Sequence, residues 1–436
     1  MILFGKSKVI PIVLCLLAFA LSGKAQDTLK ISVDSAINFA VTYNLQLKNA
    51  ELKIEESREK VWETTSLGLP QIDASANYSN FMGAEMEIRL DPDAPPMVIP
   101  FKPISNFEVS VGQLIFSGNY IIGLKMANLF KSTTITLYKK SKQDIIEQVS
   151  KSYYMILVAE NSKDIVLRTL NNVKDIYNNT KSLAGVGILE KTDSDQLSVQ
   201  VIMLENTLRS AERQIELAYN MLRFHLGIDV NVPILLTQDI NEIIETINFE
   251  TTLINPFSFE NNLDFQLALS QEQILQKQVD LEKMNYLPSL VGFYNYTSKI
   301  LKPDFDITPK NIIGLKASIP IFSSGMRKAK VAQARIRFET GTNNKELLED
   351  QLLLQEKQLR FDLRTAIDQY ESQKRNVSVS KSVYDNISFK YEQGMVSSLD
   401  LTTANNNYLN SESDYIKALI QLLEAELALQ KLFNNL

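Results

Sequence analysis

Ile115-Phe116-Ser117-Gly118 and Ile321-Phe322-Ser323-Ser324-Gly325 are near copies of each other, and each is followed by a long stretch without proline. No proline occurs from residue 104 to residue 232, or from residue 321 to the end. Glycine is also absent from Met126 to Ala184 and from Thr342 to Gln393. Proline lacks an N–H and clashes with the preceding turn, so its absence permits very long helices. A helix of about 60 residues would rise roughly 90 Å, far more than a compact domain needs. The sequence predicts two such helices, each beginning after its glycine.

Working outward from these two points, the same order of elements appears twice. In the first copy a helical stretch from about Val33 to Ser66 ends at Leu69-Pro70 and is followed by an alternating run, Gln71 to Tyr78. In the second, a helical stretch from about Phe257 ends at Leu287-Pro288 and is followed by Ser289 to Thr297. Each copy then has a polar, proline-bearing loop and a second alternating run, Asn106–Phe116 and Asn311–Phe322. Deep in each proline-free stretch, Gly187 precedes Asp193 and Gly394 precedes Asp400 by the same interval. Glycine is the usual left-handed cap of a helix, so each long helix is expected to fold back as a hairpin. A repeated order with repeated spacings is the mark of an internal duplication. The expected fold is mainly α with a small β part, built from a duplicated unit of helix, two strands, long helix, turn and helix. The expected division is 1–25 as an export signal, 26–228 as the first repeat, 229–256 as a linker and 257–436 as the second repeat.

The four expected strands are each about 10 residues long, enough to cross an outer-membrane bilayer when tilted. Phe107, Val109, Val111 and Ile115 share one face of the first copy's second strand, while Ile313, Leu315, Ala317, Ile319 and Ile321 share one face of the second's. A sandwich or hairpin buried on one side would show the same alternation. Four strands cannot close a barrel, however, and open edges are not tolerated in lipid. Two copies would give a filled eight-strand barrel, whereas three would leave room for a channel. A trimer sharing one barrel is therefore the expected assembly. In the second long helix, Leu359, Leu363, Ala366, Tyr370, Gln373, Val377, Ser380, Tyr384, Ile387 and Tyr391 recur at steps of four and three. That is a coiled-coil seam, and it fits an antiparallel bundle as well as a closed cylinder.

Composition removes several function classes. Lys6 and Lys8, the apolar run Val9 to Leu21 and the small residues around Ala25 read as a cleavable export signal. The run is too short for a transmembrane helix, and Cys15 lies within it rather than just after it, which argues against a lipid-bearing cysteine. Loss of residues 1–25 removes the sole cysteine and three lysines but no acidic residue, moving the formal charge from −6 to −9. No disulfide is then possible, and an acidic chain without a basic block does not suit nucleic acid. Nucleophile–base chemistry of the Ser-His kind would need His225, the one histidine, which sits at an expected helix C-terminus where a cation suits the dipole. No enzymatic constellation, cofactor or metal site is expected. Glu85, Glu87, Asp91 and Asp93 crowd the first inter-strand loop without Ca²⁺-loop spacing, so a solvated loop is expected there. Trp62 fits either an interfacial anchor or plain packing.

Taken together, the duplicated layout, the Leu-Pro approach to each first strand, the Ile-Phe-Ser-Gly exit and Tyr391-x-x-Gly394-x5-Asp400-Leu401 resemble the TolC-type outer-membrane efflux proteins. The resemblance covers essentially the whole chain after residue 25. It implies a homotrimer with a shared 12-strand barrel among outer-membrane lipid and a long helical barrel reaching into the periplasm. It also implies a periplasmic adaptor and an inner-membrane transporter as partners. The implied role is the exit duct of a tripartite efflux system, passively conducting small molecules outward. A duct for type I protein secretion and a non-channel periplasmic coiled coil stay open as alternatives. The resemblance further implies that Val186, Gly187, Ile188 and Gly394 form adaptor-docking tips, and that Tyr391, Asp193 and Asp400 belong to a periplasmic gate. Val396 stands where the family has a clasp arginine and Thr403 where it has a second aspartate ring, so one carboxylate ring is expected instead of two. Helix capping is the alternative role for Asp193 and Asp400.

Overall fold

The computed structural model of the chain describes residues 28–89, 95–301 and 308–436. The expected export signal, Asp91 and Asp93 lie outside them. In chain order the elements are β1 (Leu29–Ile31), α1 (Val33–Tyr43), α2 (Leu45–Ser66), β2 (Gln71–Ser79), β3 (Glu85–Ile88), β4 (Met97–Pro100) and β5 (Ile104–Phe116). The long helix α3 (Gly118–Gly185) and its return helix α4 (Lys191–Leu226) complete the first copy. A linker with β6 (Ile234–Leu236), α5 (Ile240–Thr246) and α6 (Phe249–Ile254) follows. The second copy holds α7 (Leu263–Met284), β7 (Ser289–Leu301), β8 (Asn311–Ser318), the long helix α8 (Met326–Glu392) and its return helix α9 (Ser398–Leu432). The predicted order therefore appears in both halves, and the long helices run 68 and 67 residues.

Two compact units cut across the repeats. One comprises residues up to Lys48 with Lys142–Pro256 and Glu356–Leu436, the other Asn49–Ser141 with Phe257–Gln355. In the first, α4 and α9 pack with parts of α3 and α8 around an apolar core. Val173, Leu197, Leu204, Tyr384 and Leu401 all lie in it. Every position of the seam read from Leu359 to Tyr391 is buried or half-buried. The short strands β1 and β6 pair in parallel, and the buried Tyr153 hydroxyl donates to the Ile31 carbonyl at 3.1 Å. In the second unit, β2, β5, β7 and β8 form one antiparallel sheet in that order, and β3 and β4 form a separate hairpin. Lys345 of α8 pairs with Glu272 of α7 at 2.9 Å, and Lys140 of α3 pairs with Asp264 of α7.

The structure departs from the sequence reading in four places. The helix expected over 33–66 breaks at Asn44, whose Oδ1 accepts from the Gln46 and Leu47 amides and so caps α2. Its Nδ2 donates to the His225 carbonyl at 2.7 Å, and that tertiary bond fixes the break. The helix expected from Phe257 starts at Leu263, capped by the Asn262 side chain. The strand expected to reach Phe322 stops at Ser318, because Pro320 cannot donate to a ladder; Ile321 and Phe322 are 90% and 85% exposed. The loop after β2 carries the hairpin β3–β4, with Met86 opposite Ile99 and Ile88 opposite Met97.

Candidate functional site

Strand register sorts the four-stranded sheet into two chemically different faces. Ala76, Phe107 and Ser298 lie in line, as do Ala74, Val109 and Tyr296, and then Ile72, Val111, Tyr294 and Ile313. The intervening rows hold Asp73 with Ser110 and Asn295, and Ser75 with Glu108 and Thr297. Period-two alternation thus makes one face mainly aromatic and aliphatic, with Ser298 and Asn311 among its residues, and the other mainly carboxylates, amides and hydroxyls, with Phe293 and Ile312 among them. Neither β2 nor β8 has a second partner among the described residues, so both edges are open. No helix among the described residues is long and apolar enough to cross a membrane.

The far ends of the long helices turn in the same way. The Gly187 amide donates to Ala184 O and the Ile188 amide to Leu183 O; likewise Gly394 donates to Tyr391 O and Met395 to Lys390 O. Each pair is a Schellman closure with glycine in the left-handed position, at φ 80 for Gly187 and 69 for Gly394. Apart from its immediate chain neighbours, nothing lies within 4 Å of where a Cβ would stand on either glycine. Val186, Ile188 and Met395 are exposed at 72%, 68% and 71%. These tips thus present apolar side chains to solvent beside an open glycine.

Just behind the tips, hydroxyls and carboxylates join the two hairpins. The Tyr391 hydroxyl of α8 meets the Thr180 hydroxyl of α3 at 2.9 Å. Burial raises the Tyr391 pKa above its ordinary value, and the Asp193 charge adds to the rise. The Ser398 hydroxyl of α9 lies 2.5 Å from Asp193 Oδ1 and 2.8 Å from Gln196 Oε1, both on α4. Further along, Thr402 donates to Gln200 Oε1 at 3.1 Å. Asp400 stands apart from this set. It closes a capping box with Ser397, accepting from the Ser397 hydroxyl at 2.7 Å and its amide at 3.0 Å. The Ser397 hydroxyl bond, then the amide bond, hold its carboxyl below the usual range. Tyr391 and Asp193 are therefore bonded across the hairpins, while Asp400 bonds within its own helix. Val396 is half-buried and Thr403 exposed.

Thr180, Gln196 and Ser398 carry these contacts and were not singled out by sequence. Only Ser397-x-x-Asp400 had a readable signal, the spacing of a capping box. The remaining candidates resolve as follows. His225 is 8% exposed, and burial pushes its pKa down, so desolvation outweighs the helix-end attraction for a cation. Its Nδ1 has no protein partner. Glu85 and Glu87 lie on β3, and no metal-holding cluster of carboxylates, His or Cys occurs among the described residues. Trp62, 59% exposed, lines a groove of about 1130 Å³ between α2 and α3.

Residues 258–435 match the family described as outer membrane efflux protein. The chain is 22% identical over 417 residues to outer membrane protein TolC of Vibrio cholerae, covering 89% of this chain and 90% of that relative. Its fold is similar to the outer membrane protein VceC of Vibrio cholerae, at TM-score 0.72 and 12% identity over 92% of this chain and 96% of that one. It is also similar to the CmeC outer membrane channel of Campylobacter jejuni, at TM-score 0.73 and 16% identity over 92% and 85%. The open-state MtrE channel of Neisseria gonorrhoeae gives TM-score 0.72 at 16% identity over 92% and 88%.

Proposed function

We infer that this chain, which belongs to the TolC-type outer-membrane efflux family, works as a homotrimeric exit duct. In this reading it sits in the outer membrane, reaches into the periplasm and passively conducts small molecules delivered by an inner-membrane transporter through a periplasmic adaptor. The carrying observation is the four-stranded sheet with one mainly apolar face, one mainly polar face and two open edges. Such a sheet suits lipid on one side and water on the other once its edges are closed by further copies.

The edges also indicate how copies would meet. α2, which leads into β2, exposes Leu52 and Trp62 at 62% and 59%. α8, which follows β8, exposes Ile336, Leu347 and Leu354 at 62%, 56% and 68%. One copy's β8 and α8 would pair with the next copy's β2 and α2, a head-to-tail contact that closes into a ring. The polar face with Asp73, Ser75 and Glu108 would then line the lumen. A periplasmic coiled coil without a channel has no use for such a two-faced sheet. Gly187 and Gly394, with Val186 and Ile188, serve as adaptor-docking tips. Tyr391 and Asp193 latch the hairpins behind them, and Asp400 contributes a carboxylate near the axis.

The test is native mass in mild detergent together with planar-bilayer recording. A trimer that conducts is expected, and a monodisperse monomer or dimer would overturn the assembly. Gly187→Trp with Gly394→Trp should abolish transport while the trimer still assembles; retained transport would remove the docking role.

A further inference from the structure

Where α4 runs beside α9, satisfied polar contacts give way to an amide with no partner. Asp193 and Gln196 face Ser398, and Gln200 faces Thr402, so the two helices run parallel and in step. Gln200 is 4% exposed, yet its Nε2 has no protein partner. About one turn further, Asn405 is 1% exposed, and neither its Oδ1 nor its Nδ2 has one. Its helical neighbours Leu401, Ala404 and Tyr408 belong to the apolar core with Leu197, Leu204 and Tyr384. Buried amides in native proteins are nearly always bonded.

A buried amide without a partner weakens the packed state relative to an apolar side chain of similar size. A lone asparagine in a helical seam can fix register at a cost in stability. Here register is already fixed by the Ser398 and Thr402 bonds, so the cost remains without that gain. Separation of α9 from α4 would open both amides to bulk water, where they gain the hydrogen bonds that no protein group gives them in the packed state. We propose that Asn405, with Gln200, is a positioning pair that keeps the tip-side half of α9 close to its opening point and so sets the closed–open balance of the duct. The loosening of α9 follows from the packing alone; its consequence for conduction rests on the duct reading above.

The experiment uses the full chain, comparing amide hydrogen exchange by mass spectrometry in wild type and Asn405→Leu, with single-channel recording alongside. Exchange over residues 398–412 should slow by about tenfold, since local opening governs it, while residues 418–432 stay unchanged. Opening frequency should fall by a similar factor. Asn405→Asp should shift both readouts the other way. Unchanged or faster exchange in Asn405→Leu overturns the proposal whether or not the protein conducts. Slowed exchange in a protein whose wild type carries no current upholds the loosening of α9 and removes the duct reading instead. Should Asn405→Leu fail to assemble, Asn405→Val and Gln200→Met decide by the same exchange criterion.

Discussion

The two ends of α9 are built on opposite principles. From Ala418 to Leu432 its buried face is Leu419, Leu422, Leu423 and Leu429, each 1% exposed or less. From Ser398 to Ser411 the inward residues are hydroxyls and amides interleaved with Leu401, Ala404 and Tyr408, and contacts are made one hydrogen bond at a time. Apolar burial is non-directional and accumulates with area, whereas a side-chain hydrogen bond nets only about 1 kcal/mol because water competes for it. One helix can therefore be anchored at its C-terminal end and releasable at its tip end with no break in its backbone.

The largest expected effect breaks that contrast directly. Leu422→Ala should cost about 2–5 kcal/mol, the range for emptying a buried leucine site, measured as a fall in denaturant midpoint at constant slope. Leu401→Ala, at an equally buried position, should cost less because the tip end can relax around it. Equal costs would refute the anchored-and-releasable description. Next in size, Ser398→Ala removes the hydroxyl bonded to both Asp193 and Gln196. A loss of about 1–3 kcal/mol is expected from bonds that include a carboxylate, accompanied by higher basal conductance.

The smallest effect concerns an exception within the anchored end. Glu426 is 2% exposed; its Oε1 accepts from Thr252 and from Gln430, both at 2.7 Å, and its Oε2 has no partner. Burial raises its pKa, and the Thr252 and Gln430 bonds only partly offset that rise. A carboxyl whose folded pKa exceeds the unfolded value near 4.5 contributes stability that is complete below the unfolded value. That contribution is lost as pH rises through the folded value. Glu426→Gln should therefore raise stability at pH 7, and the gain should vanish near pH 4. A pH-independent difference in unfolding midpoint would show that the carboxyl is not the cause.

Much of this architecture could be read along the chain. The proline-free stretches, the Leu-Pro and Ile-Phe-Ser-Gly boundaries and the Leu359-to-Tyr391 seam are local patterns, and local patterns survive folding when tertiary contacts agree with them. The break at Asn44 could not be read, because it depends on the His225 carbonyl, 181 positions away. The pairing of Tyr391 with Thr180, and of Asp193 with Ser398, was equally hidden: heptad spacing says which face is buried but not how neighbouring helices are staggered. The early end of β8 was readable in principle, since Pro320 stood inside the expected strand and has no N–H to give. The β3–β4 hairpin was masked by prolines and charges that suggest an irregular loop.

The matched tip turns have a consequence for counting. Gly187 and Gly394 close their helices with the same pair of backbone bonds, yet one turn offers Val186 and Ile188 while the other offers Gln393 and Met395. In the proposed trimer, a partner that recognises only main-chain shape meets six equivalent seats around the ring. A partner that reads side chains meets two alternating kinds, three of each. The stoichiometry of whatever docks there would thus report which layer of the turn it senses.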